Sequence, residues 1–255
     1  MREKMRKKMG KLKRKVSQVI SLSLVIVGMY MLIASIISPY GVYEIKNALG
    51  IMEESDTEQG VPNKGSIFNE NSVKSLEKIG ATDIKDDLLR EKTYCHESIE
   101  KSRCLAIVKK TAEIVPDNIL SQVMNNGFDI ILVDGNLREM VYEETGWDAG
   151  WQYDGVMFPD YAGYRRIWSS RKGASDVLIH EIGHAYDFSL DRVSETNEFK
   201  SIYENEARRL FPLGGLFASS EREYFAESFK FYLKYPIILK WFAPQTFDYL
   251  DSLLS

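Results

Sequence analysis

Histidine is scarce in this chain, with three in 255 residues, and two of the three fall within one helical turn. Cysteine is rarer still. There are two, Cys95 and Cys104, too few for a disulfide-dense scaffold or a multi-thiol metal cluster. Charge is missing altogether from Val16 to Tyr43. Nine Lys and Arg crowd residues 1–15 beside one acid, Glu3, which leaves the remainder with 24 basic against 36 acidic residues and a net charge near −12. A body that acidic makes nucleic acid a poor partner.

The uncharged stretch defines the first element. Val16 to Ile37 is apolar apart from Ser17, Gln18, Ser21, Ser23 and Ser35, and its 22 residues suffice to span a bilayer as a helix. The basic block ahead of it belongs on the cytoplasmic side, which puts residues 39–255 outside. A cleaved secretory signal is the competing reading, with Ile33-Ala34-Ser35 as its small-residue site, and it too exports the rest. The expected organisation is a basic cytoplasmic segment at 1–15, a transmembrane anchor or signal peptide at 16–38, an extracellular stalk with short helices at 39–90 and a folded domain at 91–255. The chain is then a single-pass cell-membrane protein with its C-terminal domain extracellular, or a secreted one, and it is read as a monomer. In that compartment Cys95 and Cys104 are candidates for a disulfide closing a short loop. The alternative, a structural metal held with His96, lacks an evident fourth ligand.

Patterning in the folded part places helices at Cys104 to Val115 and Pro116 to Met124, then a strand at Phe128 to Val133. An aromatic loop over Gly146 to Gly155 leads into a hairpin of Val156-Met157-Phe158 and Tyr164 to Trp168. Helices follow at Gly173 to Phe188, Ser194 to Leu210 and Ser219 or Ser220 to Tyr235, with a last one at Leu239 to Leu254 packed on Trp241 and Phe242. Short helical patterns precede all of this, from Asn71 to Arg90. The expected fold class is α+β, a helix-rich domain with a small sheet.

His180-Glu181-Ile182-Gly183-His184 carries the chemistry. Residues four apart share one face of a helix, so His180 and His184 aim two imidazoles at one point. A single catalytic Zn2+ there would lower the pKa of a bound water, and Glu181 would accept its proton as general base, the H-E-x-x-H arrangement of zinc peptidases. The apolar flank of Val177, Leu178, Ile179 and Ala185 marks a buried helix, where two histidines and a glutamate need a partner.

A catalytic zinc takes a third protein ligand. No histidine follows His184, which leaves the carboxylates of Glu204, Glu206, Glu221, Glu223 and Glu227. Only in Glu223-Tyr224-Phe225-Ala226-Glu227-Ser228-Phe229 are acids interleaved with large apolar residues. Glu223 is assigned as the ligand, and Glu227, one turn on, as an outer acceptor that orients an imidazole through its free N–H. Asp187, three residues after His184, is a further candidate for that outer role.

Those two segments, 39 positions apart, resemble the catalytic domain of the anthrax lethal factor family, which includes secreted bacterial Pro-Pro endopeptidases. The resemblance runs from about Leu105 to Leu254. It implies a compact, zincin-like α+β fold and a zinc endopeptidase with His180, His184 and Glu223 on the metal and Glu181 as base. Relatives of this kind carry a tyrosine shortly before the glutamate ligand that stabilises the oxyanion. From Pro212 to Arg222 this chain has none, only Leu216 and Phe217, which leaves Tyr224, Tyr203 and Tyr161 as candidate donors. The expected partner is a peptide or protein substrate. The alternative is a weak or inactive zinc-containing module that binds polypeptide on the cell surface.

Overall fold

Phe128–Val133 is the middle of everything that follows. Its β-branched run is buried on both faces, as a strand covered on two sides must be. The computed structural model describes residues 73–82, 87–150, 152–161, 164–170 and 174–254. The basic segment, the expected apolar span at 16–38 and most of the expected stalk lie outside them. Among the described residues no helix is long and apolar enough to cross a membrane.

Five strands form one sheet: β1 (Val73–Ser75), β2 (Thr93–His96), β3 (Phe128–Val133), β4 (Gly155–Tyr161) and β5 (Tyr164–Ser170), in the order β1-β2-β3-β5-β4. Both neighbours of β3 run parallel to it, and the outer pairs are antiparallel. The register of β4 breaks between Phe158 and Tyr161, around Pro159, which has no N–H to donate and is tolerated because β4 is an end strand.

Around the sheet lie α1 (Asp87–Lys92), α2 (Lys101–Ile114), α3 (Asp117–Asn125), α4 (Leu137–Thr145), α5 (Ala174–Ser189), α6 (Asn197–Leu210), α7 (Glu221–Lys234), α8 (Pro236–Phe242) and α9 (Pro244–Leu254). The class is therefore α+β and helix-rich. On one face Leu137 and Val141 of α4 close over Ile131, Val133 and Trp168, while α5 packs on β4 and β5. Cys95 of β2 and Cys104 of α2 are joined by a disulfide with Cα atoms 6.2 Å apart, which settles the fate of both thiols and leaves His96 bonded to Ser98.

Three expectations need correction. Asn71 to Arg90 holds β1 and the start of α1 in place of short helices only, because Val73–Ser75 finds backbone partners on β2. Leu137–Thr145, unassigned from sequence, is a helix capped by the Asn136 side chain and stopped by Gly146 at φ +71°. The C-terminal segment is two helices, since Pro244 cannot donate into a continuous one, and Trp241 is 78% exposed, not a packing anchor.

The break at Pro244 is held by Glu206, which is completely buried. Its carboxylate accepts from the Gln245 and Thr246 amides at 3.1 and 2.8 Å and from Thr246 Oγ1 at 2.8 Å. Glu206→Ala would leave the buried Thr246 amide without a partner and take the acceptor from Thr246 Oγ1 and the half-buried Gln245 amide, at about 1–3 kcal/mol for each lost bond. We expect the melting temperature of the purified chain to fall by roughly 6–12 °C, taking a net loss of about 3 kcal/mol. An unchanged melting curve would refute this role.

Candidate metal centre

Val177, Leu178, Ile179, Ile182 and Ala185 sink α5 into the body and take His180 and Glu181 down with them, to 8% and 6% exposure. The approach of α7 depends on Gly183. A Cβ at that position would lie 3.0 Å from Ala226 Cα, 3.1 Å from Ala226 O and 3.1 Å from Phe229 Cδ1. A glycine lets the two helices cross that closely, and the crossing brings Glu223 and Glu227 to the histidines.

Glu223 Oε2 lies 3.3 Å from His180 Nε2, and its Oε1 lies 3.5 Å from His184 Nε2. One atom from each of the three residues falls within 4.8 Å of the others. Donors around a tetrahedral ion with bonds of about 2.0–2.2 Å sit roughly 3.3–3.6 Å apart, so this spacing suits ligands of one ion. The other ring nitrogen of His180, Nδ1, is 3.0 Å from Glu227 Oε2. An ionised carboxylate only accepts, so Nδ1 carries a proton, and in the neutral ring Nε2 faces Glu223 as a bare lone pair.

With the ring neutral these would be two acceptors 3.3 Å apart, a pair that needs a cation between them, a proton or a metal ion. The same field acts on protons. Burial opposes charge on His180, but the carboxylates of Glu223 and Glu227 outweigh it and push the imidazole up to about 10. Burial likewise opposes ionisation of Glu223, yet the two histidines hold its carboxyl well below the usual range. Number, type and spacing of these donors fit a zinc ion.

Glu181 stands beside this cluster. Burial raises its carboxyl above the ordinary range, and the two histidines pull it back in part. The first residue of β4 passes directly over it: a Cβ on Gly155 would meet Glu181 Oε1 at 2.6 Å and its Cγ at 2.8 Å, and would collide with Val177 Cγ1 as well. The missing side chain at position 155 thus brings the edge strand against the carboxylate.

Of the five acids weighed as third ligand, the structure brings Glu223 to both histidines and Glu227 to the back of one. Glu204 is exposed, Glu206 holds α9, and Glu221 pairs with Lys200 at 3.8 Å. Asp187 is placed differently from expectation. Its two oxygens accept from Ser194 N at 2.8 Å and Ser194 Oγ at 2.6 Å, so it ties down the turn after α5 and does not orient an imidazole. The tyrosines also differ. A phenol has one proton to give; that of Tyr203 goes to Ala218 O at 2.9 Å, and the fully buried Tyr224 hydroxyl is paired with Thr246 Oγ1 at 2.7 Å. The Tyr161 side chain lies outside the described atoms.

Sequence reasoning missed Lys230. It is 3% exposed, with Nζ 2.6 Å from Glu227 Oε1 and 5.4 Å from the centroid of the Phe217 ring. Phe217 in turn lies against the His180 ring, centroids 5.4 Å apart. The signal was a lysine three residues after an acid, between Phe229 and Phe231 in a helix that is buried for most of its length.

The segment that holds these residues is similar to known proteins. The profile described as "Anthrax toxin lethal factor, N- and C-terminal domain" matches residues 83–253. A Pro-Pro endopeptidase of Paenibacillus alvei is 30% identical over 167 residues, 59% of this chain and 77% of that protein. The solved structure of the Pro-Pro endopeptidase from Paenibacillus alvei aligns with a TM-score of 0.53 at 26% identity, covering 65% of this chain and 99% of that one.

Proposed function

The chain belongs to the anthrax toxin lethal factor family, and from that premise we propose that it is a zinc-dependent endopeptidase acting on peptides outside the cell. His180, His184 and Glu223 would hold the ion. When bound, zinc supplies a Lewis acid that acidifies water and polarises a carbonyl oxygen. Glu181 takes a proton from the attacking water and delivers it to the leaving amine. Its burial and raised carboxyl keep it ready for both transfers. Glu227 fixes the His180 ring by accepting from Nδ1. The outer edge of β4, which begins over Glu181, offers main-chain partners to an extended peptide.

The observation that carries this reading is the convergence of His180, His184 and Glu223 beside the buried carboxylate of Glu181. Export is proposed with it, supported by the basic block ahead of the apolar run and by the Cys95–Cys104 disulfide. The two relatives are named for Pro-Pro bonds, which makes peptides with consecutive prolines the first substrates to try. A proline-rich peptide library should be cut by the purified full-length chain and, when added from outside, by intact cells that express it. Chelation should stop the cleavage and zinc should restore it. Cleavage indifferent to chelation would end the zinc reading, and activity confined to lysed cells would end the export reading. The engaged hydroxyls of Tyr203 and Tyr224 favour a second reading, a zinc-containing module that holds polypeptide with little turnover. Bound zinc with no cleavage would support it.

A further inference from the structure

Besides Glu223, three groups surround the His180 ring, and one buried cation stands behind two of them. Glu227 takes the proton on Nδ1, Phe217 lies against the ring, and His184 meets it edge-on with centroids 4.8 Å apart. Lys230 touches both Glu227 and the face of Phe217. Glu223, Glu227 and Lys230 are spaced i, i+4 and i+7 on α7, so a single face of one helix carries the candidate ligand, the acceptor behind His180 and that acceptor's counter-charge. Glu227 is 1% exposed. A carboxylate that deep needs a positive partner, and taking one away costs several kcal/mol. Its two oxygens are divided, Oε2 to His180 at 3.0 Å and Oε1 to Lys230 at 2.6 Å. With both oxygens engaged the carboxylate cannot turn, and the imidazole it holds cannot turn either.

We propose that Lys230 is a positioning residue of the metal centre: by pinning Glu227 and backing Phe217, it fixes the His180 ring with Nε2 directed at Glu223. The part concerning the ion rests on the zinc reading above, whereas the ring orientation belongs to the metal-free chain as well.

Lys230→Met keeps the bulk of the side chain and removes its charge, and Lys230→Arg keeps the charge. In the full-length chain, Lys230→Met should bind zinc about 10–100-fold more weakly in competition with a chelator, and Lys230→Arg should recover at least part of that loss. Glu227→Gln should weaken binding on its own, and Lys230→Met added to it should bring much less loss than it brings alone, because the lysine acts mainly through the carboxylate and only secondarily through Phe217. In the metal-free chain the slowly exchanging Nδ1 proton of His180, read by NMR, should be present in the native protein and in Lys230→Arg and lost in Lys230→Met. If Lys230→Met does not fold, the doubly neutral Glu227→Gln/Lys230→Met chain and Lys230→Arg still carry the comparison. Unchanged zinc affinity and ring signal in Lys230→Met, or independent and additive losses in the double variant, would overturn the proposal. A native chain that binds no zinc would defeat the zinc reading, and the ring signal would still decide the role of Lys230.

Discussion

Glu181→Gln should reduce peptide hydrolysis by about 10²–10⁴-fold, the contribution of a positioned general base, while zinc affinity stays essentially at the native level. Glutamine has nearly the same shape, so Gly155 and Val177 still close over position 181 as they do now. The amide cannot take a proton, so the attacking water loses its base. Zinc retention is expected because His180, His184 and Glu223 converge without help from Glu181. Folding should not suffer, because a carboxylate at 6% exposure costs desolvation that an amide avoids. The measurement is kcat/KM on a peptide cut by the native chain, paired with the zinc content of both proteins. Turnover near the native rate would remove Glu181 from the chemistry, and loss of zinc would show that it supports the ligands.

The candidate site was legible because its members are local in sequence and rare in type. His180 and His184 are two of three histidines, four apart, and Glu223 and Glu227 repeat that spacing among large apolar side chains. Helix spacing turns each pair into a face, so the chemistry followed from the pattern. Lys230 was not legible in this way. A lysine on a helix is ordinarily solvated, and its burial depends on Phe217 arriving from a 3-10 turn (Leu216–Ala218) that no periodicity announces. Gly155 was passed over as a loop residue for the same reason, since its value lies in what α5 puts opposite it.

The strands missed in the sequence have a common cause. β1 is three residues long and exists because β2 offers it an edge, while β2 itself interrupts a polar stretch between α1 and the Cys95–Cys104 loop. Strands that short are made by pairing, not by propensity. Phe128–Val133, by contrast, is long and apolar enough to be identified alone. The tyrosines show the limit from the other side. Tyr224 sits next to Glu223 in sequence, but adjacent helical residues point about 100° apart, and its hydroxyl ends on Thr246 among the rings of Phe199, Tyr203 and Phe211.

Gly183→Ala should weaken zinc binding by roughly tenfold or more, the scale seen when the support of a ligand is disturbed. Alanine in place of glycine within a helix ordinarily gains up to about 1 kcal/mol. Here the added methyl would press on Ala226 Cα and O at 3.0 and 3.1 Å, which are backbone atoms, and on Phe229 Cδ1. No side-chain rotation relieves the first two contacts, so the strain falls on the crossing of α5 and α7, at about 1–3 kcal/mol for overpacking of this kind. The helices must move apart, and Glu223 reaches His180 and His184 only through that crossing. Its oxygens now stand 3.3 and 3.5 Å from the two nitrogens, and a shift of several tenths of an ångström would spoil a spacing suited to one ion. Gly183→Leu, with a larger intrusion, should not accumulate as folded protein. Ala226→Gly should fail to rescue Gly183→Ala, because the obstructing atoms on that residue are its Cα and carbonyl oxygen, which glycine retains. Native zinc affinity and melting temperature in Gly183→Ala, or full rescue by Ala226→Gly, would show that the crossing has slack and that Glu223 is placed by something else.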